Sequence, residues 1–579
     1  MKTFCSVAIT IIAVYLYYHS DIPTEKEKRD NLERKFQPPP SWVEELVEKV
    51  KGKVILSSYP EYTQITKVHN GDCINKPVVV VVPESEKDVV EVVKLVSHQS
   101  LELSVRSGGH SYACTSSKVG GIHLDMRGLA RVDLHNSAVS PSGWAATLGP
   151  GATWSQVLDK IPPDKWTVVH GQCLGVGVGG FLLGGGVNMV GSTTRYGAGM
   201  EQVLQYRMVT AAGEITIVER DAVKMVTPSG QVTNLTAGDV RASHDIWFGL
   251  HGAGASFGVV TEILYKVYPS PETLASVLPV WVSDSKDLQA IERAAWSKEG
   301  QGFQFGLYSL YYLRSARHPL AYPGLSMGRI MLDLQAFIAG EPGQPLVLSV
   351  ADVRNGAGRK TNSEEVVNIL ESHGVRLMTS SSWFLDILAG EAGALGMEDY
   401  EGEYLGQEEK KLSGPQGMVS ANLGGIKTVE AVANILLTDQ VFGVSNKYSH
   451  TALATGCDYC FWAINFNTVP PRGPEARLAL TREVGNLQSE LTCMYPPGED
   501  TCRTVVENTR TEMLASSLAL GGTDSQYVNT PSCQGEGWER RYFGENYQKL
   551  LAVKKAWDPD NIFNYCHSVG SRNHDCCKQ

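Results

Sequence analysis

The continuous apolar run Val78 to Val82 reads as a short buried strand. Ser85, with Asp88 three positions on, then has the spacing of a helix N-cap and its reciprocal partner. Val89, Val92, Val93 and Val96 repeat at the helical period, so a helix with one buried face is expected to follow. Leu101 to Val105 and Gly121 to Asp125 read as further strands, Val203 to Thr210 as a strand ending in the turn Ala212-Gly213, and Val259 to Val267 as another. This alternation predicts an α+β domain in the first half of the chain. From about Ser270 glycine thins out, and strand-like runs (Ile330 to Phe337, Leu346 to Val350) alternate with helical stretches (Ser363 to Ser372, Val429 to Leu437). A second domain is expected over roughly 271–510, with no internal repeat or low-complexity linker.

At the N-terminus Lys2 precedes an uncharged stretch from Thr3 to Ser20, and Asp21 to Arg34 is densely charged. That layout resembles a secretory signal peptide. The cleavage context is weak, because Tyr18 is bulky, and the run approaches the roughly 20 residues of a spanning helix. Residues 1–20 are therefore read as a signal peptide, with an uncleaved anchor or an ordinary helix as alternatives. Localisation is expected to be secreted or lumenal, or membrane-anchored in the second case.

Charge and cysteine usage narrow the picture. A formal charge of −11 argues against a nucleic-acid binder, and none is expected as a partner. Twelve cysteines without paired CxxC units at zinc-ribbon spacing point to an oxidising compartment rather than a metal site. Without Cys5 the count is odd, so one thiol should be committed elsewhere. Cys73, Cys114, Cys457, Cys460, Cys493, Cys502, Cys533, Cys566, Cys576 and Cys577 remain for bridges of undetermined connectivity. Cys457-Asp-Tyr-Cys460 has redox-motif spacing but sits in a strand-like run, Tyr459 to Phe466, rather than at a helix start, which weakens that reading. One usable glycosylation sequon, Asn234-Leu235-Thr236, fits export and adds little by itself.

The 58 glycines exceed the roughly 7% of average usage, and their placement carries the chemistry. After the strand Leu101 to Val105 comes Arg106-Ser107-Gly108-Gly109-His110-Ser111, where adjacent glycines free the backbone to turn successive amides toward one anion. A plain tight turn and a structural histidine are the competing readings. Eleven glycines fall between Gly171 and Gly199, and backbone this bare suggests close approach to a large ligand. Gly175, Gly177 and Gly180 have GxGxxG spacing, but Gly184 to Gly186 would interrupt the helix that a nicotinamide fingerprint should open.

Six motifs occur in one order: Arg106 to Ser111; Gly171-Gln-Cys173 with Val176-Gly177 and Gly179-Gly180; Arg195-Tyr196-Gly197; Asp245 to Leu250 with Phe257 to Glu262; Tyr542 to Tyr547; and Asp558 to Phe563. The series resembles that of the berberine-bridge-enzyme-like FAD-linked oxidases, which are vanillyl-alcohol-oxidase-type (PCMH-type) flavoproteins. The resemblance runs from about Lys76 to Val569, loosely in the middle third. It implies a two-subdomain PCMH-type FAD-binding domain over 71–270, preceded by an N-terminal segment (21–70). It also implies an inserted domain of antiparallel sheet plus helices over 271–510 that receives substrate. A segment at 511–569 would return to the FAD domain, leaving a cysteine-containing tail (570–579). It further implies FAD held by two covalent bonds, from His110 to the 8α-methyl carbon and from Cys173 to the 6-position, which would account for the odd cysteine. Arg106, Ser107, Gly108, Gly109, Ser111, Val176, Gly177, Gly179, Gly180, Gly185, Val260 and Asn529 would line the cofactor.

Two departures qualify the likeness. Members that oxidise sugars carry a tyrosine base in Tyr-x-Asn-Tyr, where this chain has Tyr527-Val528-Asn529-Thr530, and an unactivated hydroxyl is too weak a base for that task. The base is left unassigned, with Tyr308, Tyr311, His450, Asp458 and Tyr459 as weak candidates, each more readily structural. The end of the motif series reads His567-Ser568-Val569 in place of Gln-Ser-Ile, and Cys566 with Cys576 and Cys577 suggests a disulfide-pinned tail. The leading reading is an oxidase removing a hydride from a small-molecule C–H bond or alcohol and reducing O₂ to H₂O₂, with oxidative cyclisation as an option. A dehydrogenase using another acceptor and a non-catalytic extracellular binding glycoprotein are the alternatives. Val176 favours the oxidase, because in the family a valine there accompanies oxygen reactivity.

Overall fold

The computed structural model describes residues 40–162, 165–171, 174–187, 196–269, 275–282, 285–297, 303–308, 311–314, 344–352, 363–377, 417–423, 459–466, 478–480, 487–495, 500–519, 524–531, 536–571 and 576. The expected leader or anchor, Cys173, His450, Asp458 and the elements expected at Ile330 to Phe337 and Val429 to Leu437 lie outside them.

The first sheet contains β1 (Lys53–Leu56), β2 (Val79–Val82), β3 (Leu103–Arg106) and β4 (Ile122–Asp125) in the order β1-β2-β4-β3, with β4 parallel to both neighbours. Helix Glu86–Gln99 makes the crossover from β2 and lays Val89, Val92, Val93 and Val96 against Val79, Val81, Ile122 and Leu124. Asp88 does more than reciprocate the N-cap. Its carboxylate is 2% exposed and accepts from the backbone N–H groups of Lys51 (2.9 Å), Gly52 (3.2 Å), Glu84 (2.8 Å) and Ser85 (3.1 Å). It thus ties the entry to β1 to the helix start, meeting donors that would otherwise be buried unpaired. Ser100 closes the helix in the left-handed region (φ 51°), and the Leu101 N–H turns back to the Val96 carbonyl. For that reason β3 begins two residues later than the apolar run suggests.

The second sheet comprises β5 (Val132–Asn136), β6 (Trp144–Leu148), β8 (Val203–Val209), β9 (Ile215–Glu219), β10 (Ala222–Val226), β11 (Val232–Asn234) and β12 (Val259–Lys266); the two-residue strands β7 (Trp166–Thr167) and β13 (Tyr268–Pro269) pair beside it. Its order is β11-β10-β9-β8-β12-β6-β5, antiparallel throughout. Glu86, at the start of the helix, ties it to the second sheet: its two carboxylate oxygens accept from Arg207 Nε on β8 (both 2.9 Å) and one also from Thr261 Oγ1 on β12 (2.6 Å).

Beyond residue 270 the described strands form two antiparallel sheets. β14 (Ala275–Val282), β15 (Phe303–Tyr308) and β17 (Gln344–Asp352) form one, in the order β14-β17-β15, with β16 (Tyr311–Arg314) falling between them in sequence. That strand joins the other, β16-β19-β20-β18, with β18 (Gly417–Leu423), β19 (Tyr459–Phe466) and β20 (Leu487–Tyr495). Helices Ser285–Trp296, Ser363–Ser372 and Asp500–Ala519 accompany them. The strand expected at Tyr459 to Phe466 and the helix at Ser363 to Ser372 form as read.

The chain then returns to the first half. Trp538, Tyr542, Phe543, Leu550, Val553 and Trp557 enter the same core as Trp154, Tyr206, Phe257 and Tyr265. Lys554 is buried in this joint. Its ammonium donates to the carbonyls of Ser256 (2.7 Å) and Phe563 (3.0 Å) and to Asp558 (2.6 Å), while Asp558 also accepts from the N–H groups of Ile562 and Phe563, both at 2.9 Å. The Asp558 to Phe563 motif is therefore a charged clamp on the loop before β12. Disulfides Cys73–Cys114 and Cys566–Cys576 close two further loops, the second pinning the tail.

Candidate active site

The loop after β3 is shaped by its own side chains. Arg106, 7% exposed, turns away from the loop's outer face and donates to the carbonyls of Ile65 (2.9 Å), Lys67 (2.6 Å) and Gly108 (3.2 Å). Ser107 Oγ donates to the Pro150 carbonyl (2.5 Å). Both side chains thus brace the loop from within. Gly109 holds φ 77°, a conformation that favours glycine, and its carbonyl accepts from the His69 N–H (2.9 Å). The His69 and His110 rings stack with centroids 4.0 Å apart and planes 17° from parallel. Ser111 is half-buried beside them.

The second glycine loop is threaded against this one. The Leu174 carbonyl accepts from Ser155 N–H (2.9 Å) and the Val176 carbonyl from Trp154 N–H (3.2 Å), and Val178 N–H donates to Ala152 (2.8 Å). Gly177 and Gly108 then meet backbone to backbone: a Cβ on Gly108 would stand 2.6 Å from the Gly177 nitrogen. Helix Val178–Leu183 follows, six residues long, too short for the continuous helix of a nicotinamide fingerprint. Most glycines of this run are explained by protein rather than ligand. Gly179 abuts Pro150, Gly184 abuts the Asn529 amide, Gly185 (φ 116°) abuts Leu480 and Tyr527, and Gly186 abuts Phe181. Gly180 differs: it is exposed, and a Cβ there would meet nothing within 4 Å. With half-buried Leu174, Gly175 and Val176 beside it, it leaves a backbone-rich open face next to the His110 loop, a shape that suits a large flat group such as FAD.

The C-terminal return supplies the other border. Asn529 Nδ2 donates to the Phe181 carbonyl and to Tyr527 Oη, both at 2.9 Å, and Tyr527 Oη also accepts from Val187 N–H (2.9 Å). Burial pushes the Tyr527 phenol up to about 12 against the opposing pull of those donors, so it stays neutral and structural. Thr530 is buried, with its N–H on the Tyr527 carbonyl (3.1 Å). Val260 lies in the core on β12, opposite Met208.

Of the weak base candidates, Tyr308 ends β15, opposite Val347. Tyr311 faces Trp462 and Tyr459 faces Arg314, at opposite ends of the β16–β19 pairing. The register therefore does not bring the two tyrosines together. Sequence reasoning missed His69, which lies outside every motif and is joined to the site only by tertiary contact. Among the described residues Cys566, His567 and Cys576 cluster, but the two sulfurs are bridged to each other. Among the described residues no helix is long and apolar enough to cross a membrane.

The class that fold and site define is the FAD-linked oxidoreductases: residues 77–219 match the FAD binding domain and residues 526–570 the berberine and berberine-like domain. The chain thus combines an FAD binding domain with a berberine-like domain near its C-terminus. It is 24% identical over 503 residues to the FAD-linked oxidoreductase easE of Claviceps purpurea (strain 20.1), covering 85% of this chain and 92% of the relative. In fold it is similar to berberine bridge enzyme from Eschscholzia californica (TM-score 0.62, 16% identity, 91% and 99% of the two chains covered). Glucooligosaccharide oxidase from Acremonium strictum is similar to the same degree (TM-score 0.63, 15% identity, 90% and 98% covered).

Proposed function

We propose that the protein is a secreted or lumenal oxidase that carries FAD on both His110 and Cys173, removes a hydride from a small-molecule C–H bond or alcohol, and passes the electrons to O₂. The observation that carries this reading is the interlock of Gly108 with Gly177, which sets the loop of His110 beside the strand of chain that follows Cys173. The glucooligosaccharide oxidase named above carries a 6-S-cysteinyl, 8α-N1-histidyl FAD, and the motif resemblance makes His110 and Cys173 the residues proposed for the two links here. When bound, FAD supplies the hydride acceptor and the site of oxygen reduction. The chain's own part is to hold and orient: His110 and Cys173 as anchors, the 174–180 backbone as floor, Asn529 as the brace of helix Val178–Leu183, and Val176 as a wall beside the ring. The disulfides Cys73–Cys114 and Cys566–Cys576 and the apolar stretch after Lys2 support the export reading.

The sugar-oxidase reading is disfavoured because Thr530 stands at the position of the tyrosine base and is buried, and a substrate that ionises unaided suits this site better. Acid precipitation tests the attachment. Unmutated protein should precipitate yellow, His110→Ala and Cys173→Ala should each keep one bond, and the double variant should release FAD. Free FAD in the supernatant of the unmutated protein overturns the assignment. A purified protein devoid of flavin would promote the binding-glycoprotein alternative.

A further inference from the structure

We propose that His69 is a positioning residue for cofactor attachment, its imidazole serving as the plate that fixes the plane of the His110 ring. This rests on the proposed bond between His110 and FAD and adds a residue that lies outside the flavin motifs. The pair is held together on several sides. The rings overlap at 4.0 Å and 17°, and Tyr112 extends the stack at 6.0 Å from His69. The His69 N–H is bonded to the Gly109 carbonyl (2.9 Å). The neighbouring Asn70, fully buried, donates to the Tyr112 carbonyl (2.7 Å) and accepts from Asp72 N–H (3.0 Å). Asp72 in turn pairs with Arg503 at 2.6 Å. The bridge Cys73–Cys114 then closes a ladder whose rails are the segments 69–73 and 110–114.

A stack covers the face of the His110 imidazole and not the edge, where both nitrogens lie. It therefore restricts rotation of the ring, whose Nε2 is itself buried. Bond formation needs such control. The new N–C bond replaces one C–H bond of the flavin methyl group; the proton leaves to solvent, the electron pair enters the flavin ring, and dioxygen removes it as H₂O₂. A ring free to rotate spends little time in the geometry that reacts.

The test uses the full chain carrying Cys173→Ala, so that only the His110 bond is read, with covalent flavin measured by in-gel fluorescence after acid precipitation. Adding His69→Ala should lower the covalently held fraction at least about fivefold while the protein still elutes yellow from gel filtration. His69→Phe, which keeps the flat ring and loses the nitrogens, should restore attachment to within about twofold of the parent. Undiminished attachment in His69→Ala overturns the proposal. So does equal loss in His69→Phe, which would assign the role to the imidazole nitrogens, and so does a colourless His69→Ala protein, which would mean loss of the pocket rather than of ring alignment. If the Cys173→Ala parent itself releases all its FAD, attachment at His110 fails, and the positioning role fails with it.

Discussion

Val176 packs against the main core from a half-buried position, and its carbonyl is fixed by Trp154 N–H at 3.2 Å, so its side chain can change without releasing the loop. Because protein interiors are close-packed, one added methylene in the wall can block a molecule the size of O₂. Val176→Leu should slow reoxidation of anaerobically reduced flavin markedly and leave reduction by substrate nearly intact, as read by stopped-flow absorbance. Slow reoxidation in the unmutated protein, with a dye as a far better acceptor, would favour the dehydrogenase alternative. At position 530 the expectation is the reverse, a small effect: Thr530→Val should leave flavin reduction within about tenfold, or roughly 1.4 kcal/mol of barrier. Loss of several orders of magnitude would mean that the hydroxyl takes part. Motif membership was legible for both residues. What Arg106 and Ser107 do was not, because their carbonyl partners at Ile65, Lys67 and Pro150 lie far along the chain.

Among the elements, the first sheet has an unusual centre. β4 sits between β2 and β3 with His123 opposite Val80 and Ser104. The ring is fully buried, its Nδ1 2.7 Å from Ser104 Oγ. Burial, aided by the Arg106 and Arg127 charges and opposed by Asp125, brings it down to about 4 from the usual 6.5. Between those values the unfolded chain binds a proton that the folded chain refuses, so stability rises with pH across this window and is lost as pH falls from 6.5 toward 4. At about 1.36 kcal/mol per unit, the loss approaches roughly 3 kcal/mol. Urea unfolding at pH 7 and pH 5, which spans about 1.5 units of that window, should show about 2 kcal/mol less pH dependence for His123→Gln than for the unmutated protein; an unchanged slope would mean that His123 is not the group responsible. The helix beside this sheet was readable because Ser85, Asp88 and four valines report on a local period. The late start of β3 was not, since it depends on how Ser100 closes the helix.

Across the whole molecule, the C-terminal return holds the flavin half closed. Lys554 and Asp558 are 4% and 1% exposed, and burial pulls the Lys554 ammonium below its ordinary value while Asp558 pulls it back up. Asp558→Ala would leave a buried ammonium without its counter-charge and strand two N–H groups, a change that costs about 3–5 kcal/mol. Thermal unfolding should record a large drop, and the double variant Lys554→Met/Asp558→Ala, which removes charge and counter-charge together, should unfold at a higher temperature than Asp558→Ala alone. The reverse order would show that the pair does not act as a clamp. The sequence by itself determined the α+β class, the order of the flavoprotein motifs and the positions His110 and Cys173 proposed as anchors, because these depend on residue type and local spacing. It also implied glycine at each close approach, without saying to what. Only the tertiary structure decided that Gly179, Gly184 and Gly186 make room for Pro150, Asn529 and Phe181, that Lys554 reaches Ser256, and that His69 lies on His110. Such contacts join residues far apart in the chain, or stand outside any motif, and no local pattern encodes which surfaces the folded core brings together.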